Sequence, residues 1–296
     1  MDYYSSIKEL LINNEITKKA KDYSKNRSDI ITYYDVGKLL SEAGKHYGEN
    51  IIKQYSEKLV FEVDKKYNKR TLFRMRQFYY FLNGQKVSPV ATQLSYSHYV
   101  ELLPFKDINK IKYYIFMCEK LKLSRNELRE RIKNKEYERL DEETRNKIIN
   151  KENVQLVDTI KDPILVKNSY DTEDISERML QKLILENIED FLIELGEGYS
   201  FIRSEYKIKI GNRYNYIDML LYNIKYNCYV VIELKVTELK KEHIGQIEVY
   251  MNYIDEHVKD INQNKTIGII IVKENNKFVI RYRSDDRIVA REYELI

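Results

Sequence analysis

The sequence predicts an all-α domain followed by a mixed α/β domain. Apolar residues recur at helical spacing through most of the first half. Beyond residue 170 a helix gives way to alternating and continuous apolar runs bounded by Gly and Asn, the mark of strands. Between the two patterns lies a polar stretch with short apolar pieces and Pro163. The expected layout is a helical domain over 1–150, a linker over 151–170 and an α/β domain over 171–296. A chain of 296 residues has room for one large or two ordinary domains, and its 43% hydrophobic content is enough to build their cores.

In the first half, residues 3–24 read as a helix with a stripe of Ile7, Leu10, Leu11 and Ile16. Further helices are expected over 29–45, 49–62 and 71–82, the last ended by Asn83–Gly84. Pro89 can start a short helix through Leu94, and Ser95 and Ser97 are N-cap candidates for another through Leu103, an arrangement like a helix-turn-helix. A helix follows over 107–122. Ser124 then caps another, with Glu127 three residues on as in a capping box. His98 reads as a packed or hydrogen-bonded structural histidine rather than a catalytic one. In the second half, ISERMLQKLILENIEDFLIELG is one amphipathic helix closed by Gly196. SFIRSEYKIKI, NYIDMLLYN and CYVVIELKV are strands, ELKKEHIGQIEVYMNYIDEHV is a helix and TIGIIIV is a buried strand. KFVIRYR and RIVAREYEL read as closing strands.

No apolar run reaches the ~20 residues a membrane helix needs. The opening MDYYSSIKELL lacks the basic and apolar regions of a signal peptide. Cys118 and Cys228 lie far apart with no CxxC spacing, which fits a reducing, cytoplasmic setting better than a disulfide framework or structural zinc. Charge is unevenly divided. Residues 1–150 hold 30 Lys+Arg and 21 Asp+Glu, net +9, whereas residues 151–296 hold 21 and 26, net −5. A basic half is what a nucleic-acid-binding module shows, although a lysine-rich chain also carries lysine on every solvated face. Within it Arg70, Arg74 and Arg76 are interleaved with Phe73, Phe78, Tyr79, Tyr80 and Phe81. These arginines are candidates for phosphate contacts, and their alternative is the solvated side of a core helix.

Three charges stand inside apolar runs: Asp218 between Tyr216-Ile217 and Met219-Leu220, and Glu233 and Lys235 after Val230-Val231-Ile232. Charged groups go inside when paired or metal-bound. Residues two apart on a strand share a face, so Glu233 and Lys235 point the same way. With the strand of Asp218 alongside, two carboxylates meet, and hard oxygen donors suit Mg²⁺. Such an ion lowers the pKa of a bound water, and Lys235 can orient that water or steady charge on a phosphodiester. The same three residues also suit a buried ion-pair cluster with no catalytic role.

The stretch GNRYNYIDMLLYNIKYNCYVVIELKVTELKKEHIGQIEVYMNYIDEH, followed by TIGIIIVKENN, resembles the PD-(D/E)XK nuclease superfamily with its restriction-endonuclease-like fold, and more closely the YhcG-type nucleases. In order, YYDVGKLL, KHYGENIIKQYSEKL, KRTLFRMRQFYYFL, ATQLSYSHYVELL and SRNELRERIKNKEYERL resemble that family's N-terminal helical domain. The likeness covers about residues 30–296. It implies Asp218 and Glu233 as metal-binding acids and Lys235 as the catalytic lysine. Gln246 matches a glutamine that follows this strand in part of the superfamily, with Tyr250 one turn on. A further glutamate is expected on the first core helix, and Glu177 fits because it shares a face with Leu180, Ile184 and Ile188. Ile217 replaces the superfamily's proline before Asp218, and Tyr96 stands where tryptophan is expected. The implied function is a nuclease dependent on Mg²⁺, with Mn²⁺ as the alternative ion, acting on DNA in repair, recombination or defence. RNA and homo-oligomeric assembly stay open. The competing reading is a non-catalytic nucleic-acid-binding or assembly protein that keeps the nuclease fold.

Overall fold

A computed structural model describes residues 2–20, 25–85, 94–170, 175–281 and 285–296. The chain divides into two compact units, residues 1–135 and 136–296.

The first unit is helical: α1 (Tyr3–Ala20), α2 (Lys25–Tyr47), α3 (Asn50–Glu62), α4 (Lys69–Gln85), α5 (Tyr96–Leu102), α6 (Ile108–Leu121) and α7 (Arg125–Lys133). Its core includes Ile7, Leu11, Leu40, Ile52, Leu59, Leu72 and Phe78, all sealed from solvent, whereas Ile16, expected in the stripe of the first helix, is 59% exposed. α2 and α4 cross closely where Gly37 leaves room for the Met75 carbonyl. Asp107 caps α6, and Ser124 with Glu127 forms the capping box of α7. His98 is structural: its Nδ1 meets Ser95 and its Nε2 meets the Leu123 carbonyl at 2.9 Å. The short helix expected from Pro89 lies largely outside the described residues.

The second unit comprises α8 (Glu142–Ile149), β1 (Ile164–Val166), α9 (Glu177–Glu186), α10 (Ile188–Leu195), β2 (Tyr199–Ile210), β3 (Arg213–Asn223), β4 (Cys228–Glu238), α11 (Lys241–His257), β5 (Asn264–Glu274), α12 (Lys277–Arg281) and β6 (Ile288–Leu295). Six strands form one sheet in the order β1-β6-β5-β4-β3-β2. The β1/β6, β6/β5 and β5/β4 pairs are parallel, while β4/β3 and β3/β2 are antiparallel. One face packs on α9 and α10 through Leu180, Leu183, Ile184, Phe191 and Leu195, against Val230, Ile232 and Leu234. The other packs on α11 through Ile244, Ile247 and Met251, against Val231 and Ile270. β4 and β5, covered on both faces, are the near-continuous apolar runs of the sequence.

Four expectations differ from this architecture. The segment 151–170 is not only connection: β1 pairs with β6, and Arg139, Lys161 and Glu194 join it to α10 by buried ion pairs. α8 lies within the 1–150 span expected of the helical domain but falls in the second unit, started by Asp141, which accepts from Thr144 N at 2.8 Å. The helix read across 175–196 is broken at Asn187, whose side chain donates to the Leu183 carbonyl. KFVIRYR was expected as a strand, but residues 277–281 are helical because Asn276 Oδ1 accepts from the N–H groups of Phe278 and Val279. Among the described residues, no helix is long and apolar enough to cross a membrane.

Candidate active site

β3 and β4 carry the three charges. Their register pairs Met219 with Ile232, so the next position sets Asp218 opposite Glu233. There the two strands part, and Asp218 Oδ2 accepts instead from Leu234 N at 2.8 Å. Glu233 is 1% exposed, and its Oε1 is buried with no hydrogen-bond partner among the described residues. Its other oxygen stands 3.4 Å from Lys235 Nζ. That ammonium also lies 3.6 Å from Glu177 Oε2, at the first residue of α9. Ser176 caps α9 and fixes where this glutamate emerges.

The electrostatics follow from burial. Burial pushes the Glu233 carboxyl up to about 8, and the neighbouring Asp218 charge adds to the shift. Asp218 is raised too, chiefly by burial, with the Leu234 N–H working against it. Burial disfavours the charged form of Lys235, but Glu233, Glu177 and Asp218 outweigh it and hold its pKa above the usual lysine value. The site is thus short of positive charge: two crowded carboxylates face one ammonium, and one buried oxygen lacks a partner. A divalent cation fits this donor set, since it satisfies the orphaned oxygen and relieves the repulsion between the two acids. Among the described residues, no group of three or more His, Cys, Asp or Glu gathers as a fuller metal cage would.

α11 closes the other side. Gln246 Nε2 donates to Tyr250 Oη at 3.0 Å, which places the two on one helix face. The buried Tyr250 hydroxyl is raised by burial and feels the charges of Glu233 and Asp218. The sequence-read set of Asp218, Glu233, Lys235 and Glu177 is therefore brought together, and Gln246 joins through Tyr250. Two residues escape a reading by sequence. Gln181 Nε2 donates to the Asp218 carbonyl at 2.9 Å and anchors the strand beneath its carboxylate. Its signal was the i, i+4 step from Glu177. His243 lies buried at the start of α11, where Nδ1 accepts from Lys240 N. Its pKa is lowered by burial and by Lys235.

The arginines of α4 fare differently. Arg76 is held by both Glu49 oxygens and lies over the Phe73 ring, so its charge is already engaged. Arg74 is half-buried, and Arg70 is exposed. Of the interleaved aromatics Phe78 is core, whereas Tyr80 is half exposed.

Residues 9–139 match the model of the DUF1016 N-terminal domain, and residues 157–296 match that of the YhcG PDDEXK nuclease domain. The chain is 22% identical to "Putative nuclease YhcG" of Escherichia coli (strain K12) over 309 aligned positions, spanning 89% of this chain and 82% of that one. Among solved structures it is similar to a repair endonuclease from Pyrococcus abyssi, at 21% identity and a TM-score of 0.30, over 43% of this chain and 49% of that chain. It is also similar to EndoMS in a complex with double-stranded DNA, at 22% identity and a TM-score of 0.30, over 44% of this chain and 48% of that chain. The matched stretch thus spans about half the length of either solved chain. PD-(D/E)XK nucleases typically use divalent metals. Two family models run in tandem along nearly the whole sequence, the second over the sheet that holds the paired acids, and the chain belongs to the YhcG family of proteins with a restriction-endonuclease-like nuclease domain.

Proposed function

We propose that this protein is a metal-dependent nuclease that hydrolyses phosphodiester bonds of DNA, with Mg²⁺ as the working ion and Mn²⁺ as a substitute. One observation carries the reading: Asp218 and Glu233 are brought side by side in a buried place, with Glu233 Oε1 unpartnered and Lys235 against them. Asp218 and Glu233 would hold the cation. When bound, the cation supplies a more acidic water and positive charge for the phosphate oxygens. Lys235 hydrogen-bonds the attacking water and steadies the negative charge that grows on the phosphate oxygens. Hydrolysis adds the water oxygen to phosphorus and breaks one P–O bond, and the leaving oxygen takes up a proton. Glu177 holds the Lys235 ammonium from the side of α9. Gln246 and Tyr250 offer hydrogen bonds along the substrate side of α11. Residues 1–150 serve as the domain that binds nucleic acid or a partner, and Arg70 is the arginine of α4 most open to a phosphate. Repair, recombination or defence against foreign DNA is the setting this activity suits.

The test is a cleavage panel over duplex, single-stranded, branched and RNA substrates with Mg²⁺ or Mn²⁺. DNA is cut by the parent, and Glu233→Ala lowers the rate by at least about 100-fold. A parent that cuts none of the substrates, or a Glu233→Ala variant that cuts as the parent does, overturns the reading.

A further inference from the structure

β3 does not end where it leaves β4. Its pairing with β4 begins at Met219, but its pairing with β2 runs on from Ile217 to Arg213. Residues 206–217 therefore form a two-stranded ribbon that continues the sheet beyond Asp218, turning at Gly211. Lys207 pairs with Tyr216, and Lys209 pairs with Tyr214. Cross-strand partners share a face, so these four side chains line one side of the ribbon. That side is open: both lysines are exposed, Tyr214 is 57% exposed and Tyr216 is 52% exposed. The opposite side carries Ile208 and Ile217, which are buried in the core beneath α11. Packing thus fixes the orientation of the ribbon and leaves the basic and aromatic side to solvent.

The charge here runs against its surroundings. Residues 151–296 are net negative, yet residues 203–216 hold Arg203, Lys207, Lys209 and Arg213 against Glu205 alone. Lys207 is seated on a ring, its Nζ 3.8 Å from the Tyr214 centroid. A solvated strand face has no use for two large exposed rings, whereas a nucleic-acid strand uses both features. Ammonium groups meet phosphates, and ring faces meet bases. A base offers its face only where it is unpaired. Position completes the case. Tyr216 is two residues from Asp218, about 7 Å along the strand.

We propose that the 206–217 ribbon grips an unpaired DNA strand beside the bond that is cut, with Lys207 and Lys209 on phosphates and Tyr214 and Tyr216 stacked on bases. The assignment rests on the phosphodiesterase reading for its position, while its own claim concerns binding. Arg76, by contrast, is engaged by Glu49. The ribbon therefore places a contact for the strand within the nuclease domain itself, in addition to the basic first half of the chain.

The test is fluorescence anisotropy on the full chain in chelator, with labelled single-stranded DNA, a blunt duplex and a duplex with a single-stranded flank. Lys207→Ala/Lys209→Ala weakens single-strand binding tenfold or more and reduces the log–log salt slope by roughly 1.4, two contacts at the single-strand value. Tyr214→Ala/Tyr216→Ala weakens binding to the single strand and the flanked duplex by about tenfold per ring and leaves the blunt duplex within about twofold. All four side chains face solvent, so circular dichroism stays that of the parent. Unchanged binding in both variants overturns the proposal, as does a parent that binds none of the three DNAs. Equal losses on single strand and blunt duplex overturn the stacking. If the ribbon variants lose binding but the parent cuts nothing, the ribbon stands and the phosphodiesterase reading falls.

Discussion

Glu233 is the residue on which the site turns. Its carboxyl titrates near 8 in the fold and near 4.5 when exposed, so the folded protein holds a proton that the unfolded chain releases. Stability of the metal-free protein therefore falls as pH rises from 4.5 towards 8, by at most about 1.4 kcal/mol per pH unit from this group. Glu233→Gln removes that loss. Its melting temperature in chelator at pH 8 is expected to exceed the parent's, and the rise that Mg²⁺ or Mn²⁺ gives the parent is expected to vanish. A variant that melts below the parent and still responds to the ions would place the cation elsewhere. Lys235→Ala separates binding from turnover: the ion-dependent rise in melting temperature persists, while cleavage falls by about 100-fold or more. The paired acids were legible in the sequence because a charge inside an apolar strand has few explanations. Gln181 was less so: its one signal is its place a turn beyond Glu177, and its partner, the Asp218 carbonyl, is backbone and carries no side-chain signature.

At the scale of elements, legibility followed length. β4, β5 and α11 are long, and their periodicities stood out, as did the capping box of α7. β1, with three residues, and α12, with five, fall below what periodicity can resolve. In α12 a single Asn cap decides the outcome, and Phe278, read as a strand residue, is 76% exposed. Edge strand β2 carries its own protection. Its pairing with β3 shifts between Phe201 and Arg203, Glu205 takes a positive φ of 48°, and lysines follow, all of which discourage pairing with another edge. The seat of α11 on the sheet depends on Gly268 of β5. A Cβ there would lie 2.5 Å from Met251 Sδ and 2.9 Å from Ile247 Cδ1. Gly268→Ala therefore pushes α11 outward, costs about 1–3 kcal/mol and shifts Gln246 and Tyr250 with the helix. Both a lower melting temperature and slower cleavage are expected. An unchanged melting temperature would mean that the two side chains swing clear.

For the whole molecule, the division into residues 1–135 and 136–296 makes a thermal prediction. Each unit has its own sealed core, so calorimetry is expected to resolve two transitions rather than one. Gly37 assigns the first. Alanine is the better helix former by about 1 kcal/mol, yet at this position its Cβ would lie 2.2 Å from the Met75 carbonyl oxygen. Backbone of α4 cannot move aside as a side-chain tip can. Gly37→Ala must therefore force α2 and α4 apart, and the loss is expected to exceed that of Gly268→Ala. One transition falls by on the order of 5–10 °C while the other keeps its midpoint. The ion-dependent rise should belong to the transition that Gly37→Ala leaves alone, because Asp218 and Glu233 both lie in the second unit. If both transitions move together in the variant, the two units fold as one cooperative body, and a defect in the helical half would reach the paired acids through stability alone.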